Sequence, residues 1–445
     1  MTNNSLTLTG GLDRTRAWEE GGSVRYLVAE LAAEGALASG VEAPALNLAL
    51  AIDVSSSMSG DKIDAARRAA RAVAEALTER DRLSIIAFDS TAELLLDARP
   101  MDPAGRAAAL TAIASLVDRG GTNLFDGWLL AAERVAVAMA ARPQASHRVL
   151  LLSDGQTNEG VTDQGEIARH AGALLERGVI TSAVGIGDGY DEELLGAIAE
   201  AGGGNLHDAE KAPEIGEVVL GELRVGRAAL VERVSLRVTV PANLRAEVVG
   251  PWANAALPGV IEVMVGSLMP EQTKRVVFRL HCPSGAPGTT ILLGISAGGA
   301  SPDGGDAIEA RLIEAQLRLV REAENSSQAR DAARSLTVVQ AWQAEALRRA
   351  VRMNRDGDGR AARHFLEREL RWMEPYARGI PGADTLLADL ILVQRRVGEE
   401  WDERTRKDLF SGLYKLSRAE PDMRINALRG PSDLFARFKS PPKSR

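Results

Sequence analysis

The 445-residue chain has one cysteine, Cys282. An intrachain disulfide framework is therefore impossible, and a cysteine-built zinc or iron–sulfur centre is not expected. The five histidines (His147, His170, His207, His281 and His364) are scattered, with no pair at the i, i+4 spacing of a helical zinc site. Aromatic residues make up 4% of the chain, too few to favour a base-stacking or carbohydrate platform. No uncharged apolar run approaches the roughly 18 residues of a membrane span. The first 22 residues are polar, carry Asp13, Glu19 and Glu20, and lack the basic-then-apolar order of a signal peptide. A soluble cytoplasmic protein is the expectation. No G-x-x-x-x-G-K-[ST] phosphate loop and no G-x-S-x-G nucleophile elbow occurs. Gly185-Ile186-Gly187-Asp188-Gly189 misses the dinucleotide-binding spacing. Asn354-Arg355-Asp356-Gly357-Asp358-Gly359 imitates the start of a calcium loop, but its twelfth position is Phe365 rather than glutamate, so an interhelical turn is expected.

What is present is an ordinary globular balance, 45% hydrophobic and 26% charged, long enough for two to four domains at about 150 residues each. The net charge of −8 is uneven. Residues 321–445 carry 25 basic and 19 acidic side chains, and residues 1–320 carry 28 and 42. An acidic body with a mildly basic end argues against nucleic-acid binding. The proline-containing basic end, within residues 426–445, reads as a solvated tail.

Residues 43–223 alternate short apolar runs with amphipathic stretches, the pattern of a parallel sheet covered by helices. Leu46 to Val54 is almost wholly apolar, as a strand buried on both faces should be. Leu83 to Phe88, Arg148 to Ser153 and Ile180 to Ile186 read as further strands. Beyond residue 224 the period changes to two, with Val234, Leu236, Val238 and Val240 alternating with polar residues. Antiparallel strands are predicted there to about residue 322. Ile308 to Leu319 fits either a strand with a bulge near Leu312 or a helix. The same alternation marks residues 1–42, and two or three strands do not stand alone in water. The α/β domain is thus predicted to be inserted into a discontinuous β-sandwich. A three- or four-helix unit follows at residues 323–425.

Ligands of doubly wound sheets bind just beyond the carboxyl ends of the strands. Asp53 and Asp154 stand at two such ends. Asp53 opens a D-x-S-x-S string that adds Ser55 and Ser57, and Gly120-Gly121 would let Thr122 approach closely. Two carboxylates and three hydroxyls are hard oxygen donors that suit Mg²⁺ or Mn²⁺, with Ca²⁺ a looser fit. These short side chains leave coordination positions open, so an Asp or Glu from a partner is a natural further ligand. Ser56 and Ser59 are expected to serve the turn and the helix cap. Trp128 and Phe125 are expected to be core residues, and His207 structural.

The region resembles a von Willebrand factor A domain. Asp53, Ser55 and Ser57 match the first motif of the family's metal-ion-dependent adhesion site, Thr122 the second and Asp154 the third. The wider arrangement is similar to bacterial proteins carrying this domain and, more distantly, to inter-α-trypsin inhibitor heavy chains. The resemblance implies a non-enzymatic interaction module whose bound metal grips an acidic residue of a protein ligand. A metal-dependent hydrolase or phosphatase using the same site is the alternative. A further alternative is a co-factor protein for an AAA+ ATPase of the MoxR or chelatase type, as some bacterial members are. Against an enzyme stands the lack of a His, Lys or Cys visibly positioned near the motifs.

Overall fold

Strands β1 (Ser5–Leu12), β2 (Arg16–Trp18) and β3 (Val24–Glu34) open the chain. The computed structural model describes residues 4–35, 44–154, 157–187, 189–209, 211–302, 307–399, 401–419 and 434–435. β1 and β3 pair antiparallel, with Ser5 opposite Glu34 and Leu12 opposite Leu27. Such a pair buries too little to be stable by itself, and its further partners come from beyond residue 230.

The α/β unit comes between. Its elements are β4 (Leu46–Asp53), α1 (Asp61–Ala76), β5 (Arg82–Phe88), β6 (Ala92–Pro100), α2 (Pro103–Ala114), α3 (Leu124–Ala141) and β7 (Ser146–Ser153). α4 (Gln164–Glu176), β8 (Val179–Ile186), α5 (Glu192–Ala201), β9 (Gly203–Ala209) and α6 (Ala212–Ala228) complete it. The sheet order is β6-β5-β4-β7-β8-β9, parallel except for the antiparallel edge β6. Every residue of β4, β7 and β8 is buried, which explains the apolar runs at their centres, such as Leu48 to Ile52 and Val149 to Leu152. Leu46, Leu48, Leu50 and Ile52 face a core shared with α1, α2 and α6. Ala49 and Ala51 face the opposite core, which holds Phe88 and Trp128. α3 can approach that face closely because Gly127 lies against the Phe88 ring, where a Cβ would overlap it. β6 and α2 were not foreseen. β6 is half exposed, has an irregular register with β5 and bends at Ala98, where φ is +38°, so its sequence carries no clean period.

β10 (Val231–Thr239), β11 (Arg245–Val249), β12 (Asn254–Leu257), β13 (Val260–Leu268), β14 (Thr273–His281), β15 (Thr290–Ala300), β16 (Ala307–Glu309) and β17 (Ile313–Val320) follow. They complete two facing sheets, β1-β3-β14-β11 and β12-β13-β10-β15-β17-β2, with β16 beside β15. β3 pairs with β14 from Val24 opposite His281 to Ala32 opposite Thr273. One core joins Leu27, Leu31, Leu236, Val263, Phe278 and Leu317 across both sheets. The ambiguous segment Ile308 to Leu319 is strand, divided into β16 and β17 by a break at 310–312.

α7 (Glu322–Ser326), α8 (Ala332–Arg355), α9 (Gly359–Ala377), α10 (Ala383–Arg396) and α11 (Glu403–Arg418) form the helical unit. α8 lies against α5 through Arg348–Glu200 at 3.1 Å and Arg352–Glu193 at 2.8 Å. Arg404 of α11 pairs with Asp208 at the end of β9. The scarce aromatics gather at the junction with the sandwich, where Tyr26, Trp342 and Tyr376 meet at centroid distances of 5.4–6.1 Å. The Tyr376 hydroxyl donates to buried Asp13 at 3.0 Å. Of the segment read as a solvated tail, Leu434 and Phe435 are described and are buried; the rest lies outside the described residues. Among the described residues, no helix is long and apolar enough to cross a membrane.

Deleting residues 1–35 strips β1 and β3 from β14 and leaves its edge open. The truncated protein is expected to aggregate or melt well below the full chain. A soluble truncation with an unchanged melting temperature would contradict the inserted arrangement.

Candidate functional site

β4 and β7 are adjacent and parallel, with Ile52 opposite Leu152. From β4 the chain turns to β5 on one side, and it later returns through β7 on the other. The crevice beyond their carboxyl ends is therefore the switch point of the sheet. Asp53 ends β4, fully buried; its Oδ1 accepts the Ser55 N–H at 2.8 Å and its Oδ2 accepts the Ser153 hydroxyl at 2.5 Å. Ser55 and Ser57 lie in the tight turn that leads to α1, with hydroxyl oxygens 3.0 Å apart. The Ser57 hydroxyl donates to Asp154 Oδ1 at 2.8 Å. Four of the five residues singled out in the sequence thus form one hydrogen-bonded chain across two strand ends.

Thr122 reaches the same rim by a different route. Its loop is fixed to the first turn, since the Ser56 N–H and hydroxyl donate to the Gly120 carbonyl at 3.2 and 2.9 Å. The Arg119 N–H donates to the Val54 carbonyl at 2.6 Å. Gly120 has a φ of +68°, and a Cβ there would come within 3.3 Å of Asp89, so the turn requires glycine. On the other side, the Thr122 N–H donates to Asn158 Oδ1 at 2.9 Å. The Thr122 carbonyl accepts the N–H groups of Asn158 and Glu159 at 3.1 and 3.2 Å. Asn123 caps α3 by accepting the Asp126 N–H at 3.2 Å. Ser56 therefore joins loops, as a turn residue does. Helix α1 begins after Gly60, and no side chain caps it.

Burial pushes the Asp53 carboxyl up from 3.8 to about 6. Hydrogen bonds from Ser153 and Ser55 oppose that shift, and the nearby Asp154 charge adds to it. Asp154 is equally buried but has a cation: Lys62 Nζ lies 2.8 Å from its Oδ2 and 3.1 Å from the Ser57 carbonyl. The expectation that no lysine stands near the motifs is therefore corrected. A signal for it existed in the sequence. Lys62 falls in the first turn of α1, where the helix dipole disfavours a cation unless a carboxylate is close. Asp89, at the neighbouring strand end, is held below its usual range; it accepts from Thr91 and pairs with Arg119 at 2.6 Å, which outweighs its burial.

The remaining sequence candidates are structural. Trp128 is buried and sets its Nε1 3.3 Å from the Thr181 hydroxyl. His207 bonds Glu222 at 2.7 Å in a buried network with Ser182 and Asn205. Of residues 354–359, the stretch 356–358 turns between the end of α8 and the start of α9, and Cys282 is a buried free thiol. Among the described residues no group of three or more His, Cys, Asp or Glu side chains is placed to hold a metal ion.

Residues 47–219 match the family model of the von Willebrand factor type A domain. The uncharacterized protein sll0103 of Synechocystis is 29% identical over 273 residues, 56% of this chain and 60% of that protein. The chain thus spans less than two thirds of that curated relative. The structure of a von Willebrand factor type A protein from Catenulispora acidiphila aligns over 93% of this chain and 98% of its own, at 18% identity and a TM-score of 0.70. The ArnB paralog VWA2 of Sulfolobus acidocaldarius aligns over 96% and 100%, at 15% identity and a TM-score of 0.59. At these identities the two structures establish the fold.

Because its carboxyl is raised to about 6, Asp53 favours folding in its protonated form, and metal-free stability declines as pH rises from about 4 to 6. Asp53→Asn keeps an acceptor for the Ser55 N–H and removes a charge that costs on the order of 3 kcal/mol. In EDTA at pH 8 the variant should melt at or above the wild-type temperature. A lower melting point would contradict this electrostatic reading.

Proposed function

We propose that the von Willebrand factor type A domain at residues 47–219 holds one divalent cation through Asp53, Ser55, Ser57, Thr122 and Asp154, and uses it to capture an acidic residue of a protein partner. The observation that carries this reading is the chain of oxygens from Asp53 through Ser55 and Ser57 to Asp154. The donor set fits a hard cation: it has two carboxylates and three hydroxyls, and no nitrogen or sulfur. Mg²⁺ or Mn²⁺ suits it better than Ca²⁺, which takes more ligands at longer range. When bound, the ion supplies a hard Lewis-acidic centre for a carboxylate oxygen.

The protein's own residues do the rest. Asp53 and Asp154 supply the negative charge, and their burial keeps water from screening it. Ser55, Ser57 and Thr122 add neutral oxygens, which leave the ion electrophilic toward a further anionic ligand. The rigid ties between the Ser56, Gly120 and Asn158 loops hold these groups in place before any partner arrives. Affinity beyond the single carboxylate then comes from surface contacts around the rim. Lys62, beside this rim, is ion-paired to Asp154 and donates to a backbone carbonyl, an arrangement suited to holding charge rather than to moving protons. The reading is therefore of an interaction module rather than an enzyme, with a place beside an AAA+ ATPase as one setting for it.

Calorimetry should show one Mg²⁺ or Mn²⁺ bound per chain, and Asp53→Ala should abolish it while the far-ultraviolet circular dichroism stays unchanged. Unchanged metal affinity in that variant would overturn the assignment. Affinity purification in Mg²⁺ should recover a partner that EDTA releases. Capture undiminished in EDTA would move the interface elsewhere, and phosphate or ester turnover lost in Asp53→Ala would favour a hydrolase.

A further inference from the structure

The oxygens of the proposed metal site are not alone at the rim. Lys62 Nζ sits 2.8 Å from Asp154 Oδ2 and 3.1 Å from the Ser57 carbonyl, so both acceptors come from proposed ligand residues. Its stem is accommodated by design of the neighbouring loop. Gly187, at φ +73°, lies where a Cβ would come within 3.1 Å of Lys62 Cε. The side chain is 32% exposed and the carboxylate it pairs with is 1% exposed, so the interaction is partly shielded from solvent. A lysine in the first turn of a helix is opposed by the helix dipole, and here Asp154 compensates it together with Asp61 and Asp64 of the same turn.

The charge balance has two consequences of opposite sign. Asp53, Asp154 and Lys62 together carry one net negative charge. With one divalent ion held, the rim carries one net positive charge; without Lys62 it would be neutral. A cation fixed on Asp154 repels an incoming metal ion, yet it leaves the loaded rim in need of an anion. We infer that Lys62 is a specificity-determining residue that trades metal affinity for selectivity toward a carboxylate as the closing ligand. This rests on the metal-binding reading above. Lys62 opposes binding of the ion and favours binding of the acid that follows. A neutral ligand such as water or a hydroxyl, a dipole rather than a charge, gains less than a carboxylate from the extra positive charge, so the residue discriminates between ligand classes as well as setting strength.

The test compares wild type with Lys62→Met, which keeps the apolar stem without the charge, and with Lys62→Arg, which keeps the charge. Titration with Mn²⁺ alone, followed by calorimetry and electron paramagnetic resonance, reads metal affinity. Acetate added to the Mn²⁺-loaded protein, followed by the water-proton relaxation rate, reads displacement of bound water by a carboxylate. Lys62→Met should bind Mn²⁺ roughly tenfold more tightly and need roughly tenfold more acetate for half-displacement. Lys62→Arg should resemble wild type in both. Wild type that binds no Mn²⁺ would overturn the metal reading and this inference together. Wild type that binds Mn²⁺, with Lys62→Met unchanged or weaker for the metal, would overturn this inference alone. So would acetate displacement that is unchanged in Lys62→Met.

Discussion

Two buried carboxylates at the ends of adjacent parallel strands are the constraint around which this molecule is arranged. Asp53 and Asp154 are almost completely removed from water, and like charges in that setting repel strongly. The fold supplies partial compensation from every direction. Ser153 and the Ser55 N–H stabilise Asp53, while Ser57 and Lys62 stabilise Asp154. These groups account for one positive charge against two negative ones. The remaining negative charge is what the proposed cation would neutralise, and hydrogen bonds from Ser56 to Gly120 and from Thr122 to Asn158 brace the loops around it.

The rest of the chain keeps that rim at the surface. Glu232 of β10 accepts from Ser146, the first residue of β7, at 2.9 Å, so the sandwich joins the α/β unit at the amino ends of the strands, away from the carboxyl ends. The helical unit approaches from the side. Arg404 pairs with Asp208 near the end of β9, and Lys407 Nζ donates to the Tyr190 carbonyl at 2.7 Å in the loop that follows β8. The helices thus border the rim on the β8–β9 side. On the proposed reading, a partner seated on this rim would meet the loops at 55–59 and 118–122, with α11 bordering it on the β8–β9 side.

The legible parts of the structure were those with a strong period or a strong chemical identity. β4, β7 and β8 announce themselves by mostly apolar runs because both faces are covered. Leu6 and Leu8 alternate because one face of β1 is covered, whereas β3 is covered on both, by the facing sheet at Leu27 and Leu31 and by the helical unit at Tyr26. The closeness of Asp53, Ser55, Ser57 and Asp154 was legible because all four lie at or just beyond the ends of two buried strands that pair side by side. β6, β11 and β12 were not legible: they are short or edge strands, and the four residues of β12 are all exposed, so burial imposes no pattern on them. Lys62 was missed for another reason. Its meaning depends on Asp154, which lies 92 residues away and is brought beside it by the pairing of β4 with β7.

The central claim is that Asp53, Ser55, Ser57, Thr122 and Asp154 surround one divalent ion. Anomalous diffraction from crystals of the full chain grown with Mn²⁺ tests it most directly. The account predicts a single strong peak beyond the carboxyl ends of β4 and β7, in contact with the Ser55 and Ser57 hydroxyls and absent from Asp53→Ala crystals. A peak bound elsewhere, or none at the rim while Asp53 and Asp154 stay ordered, would contradict it.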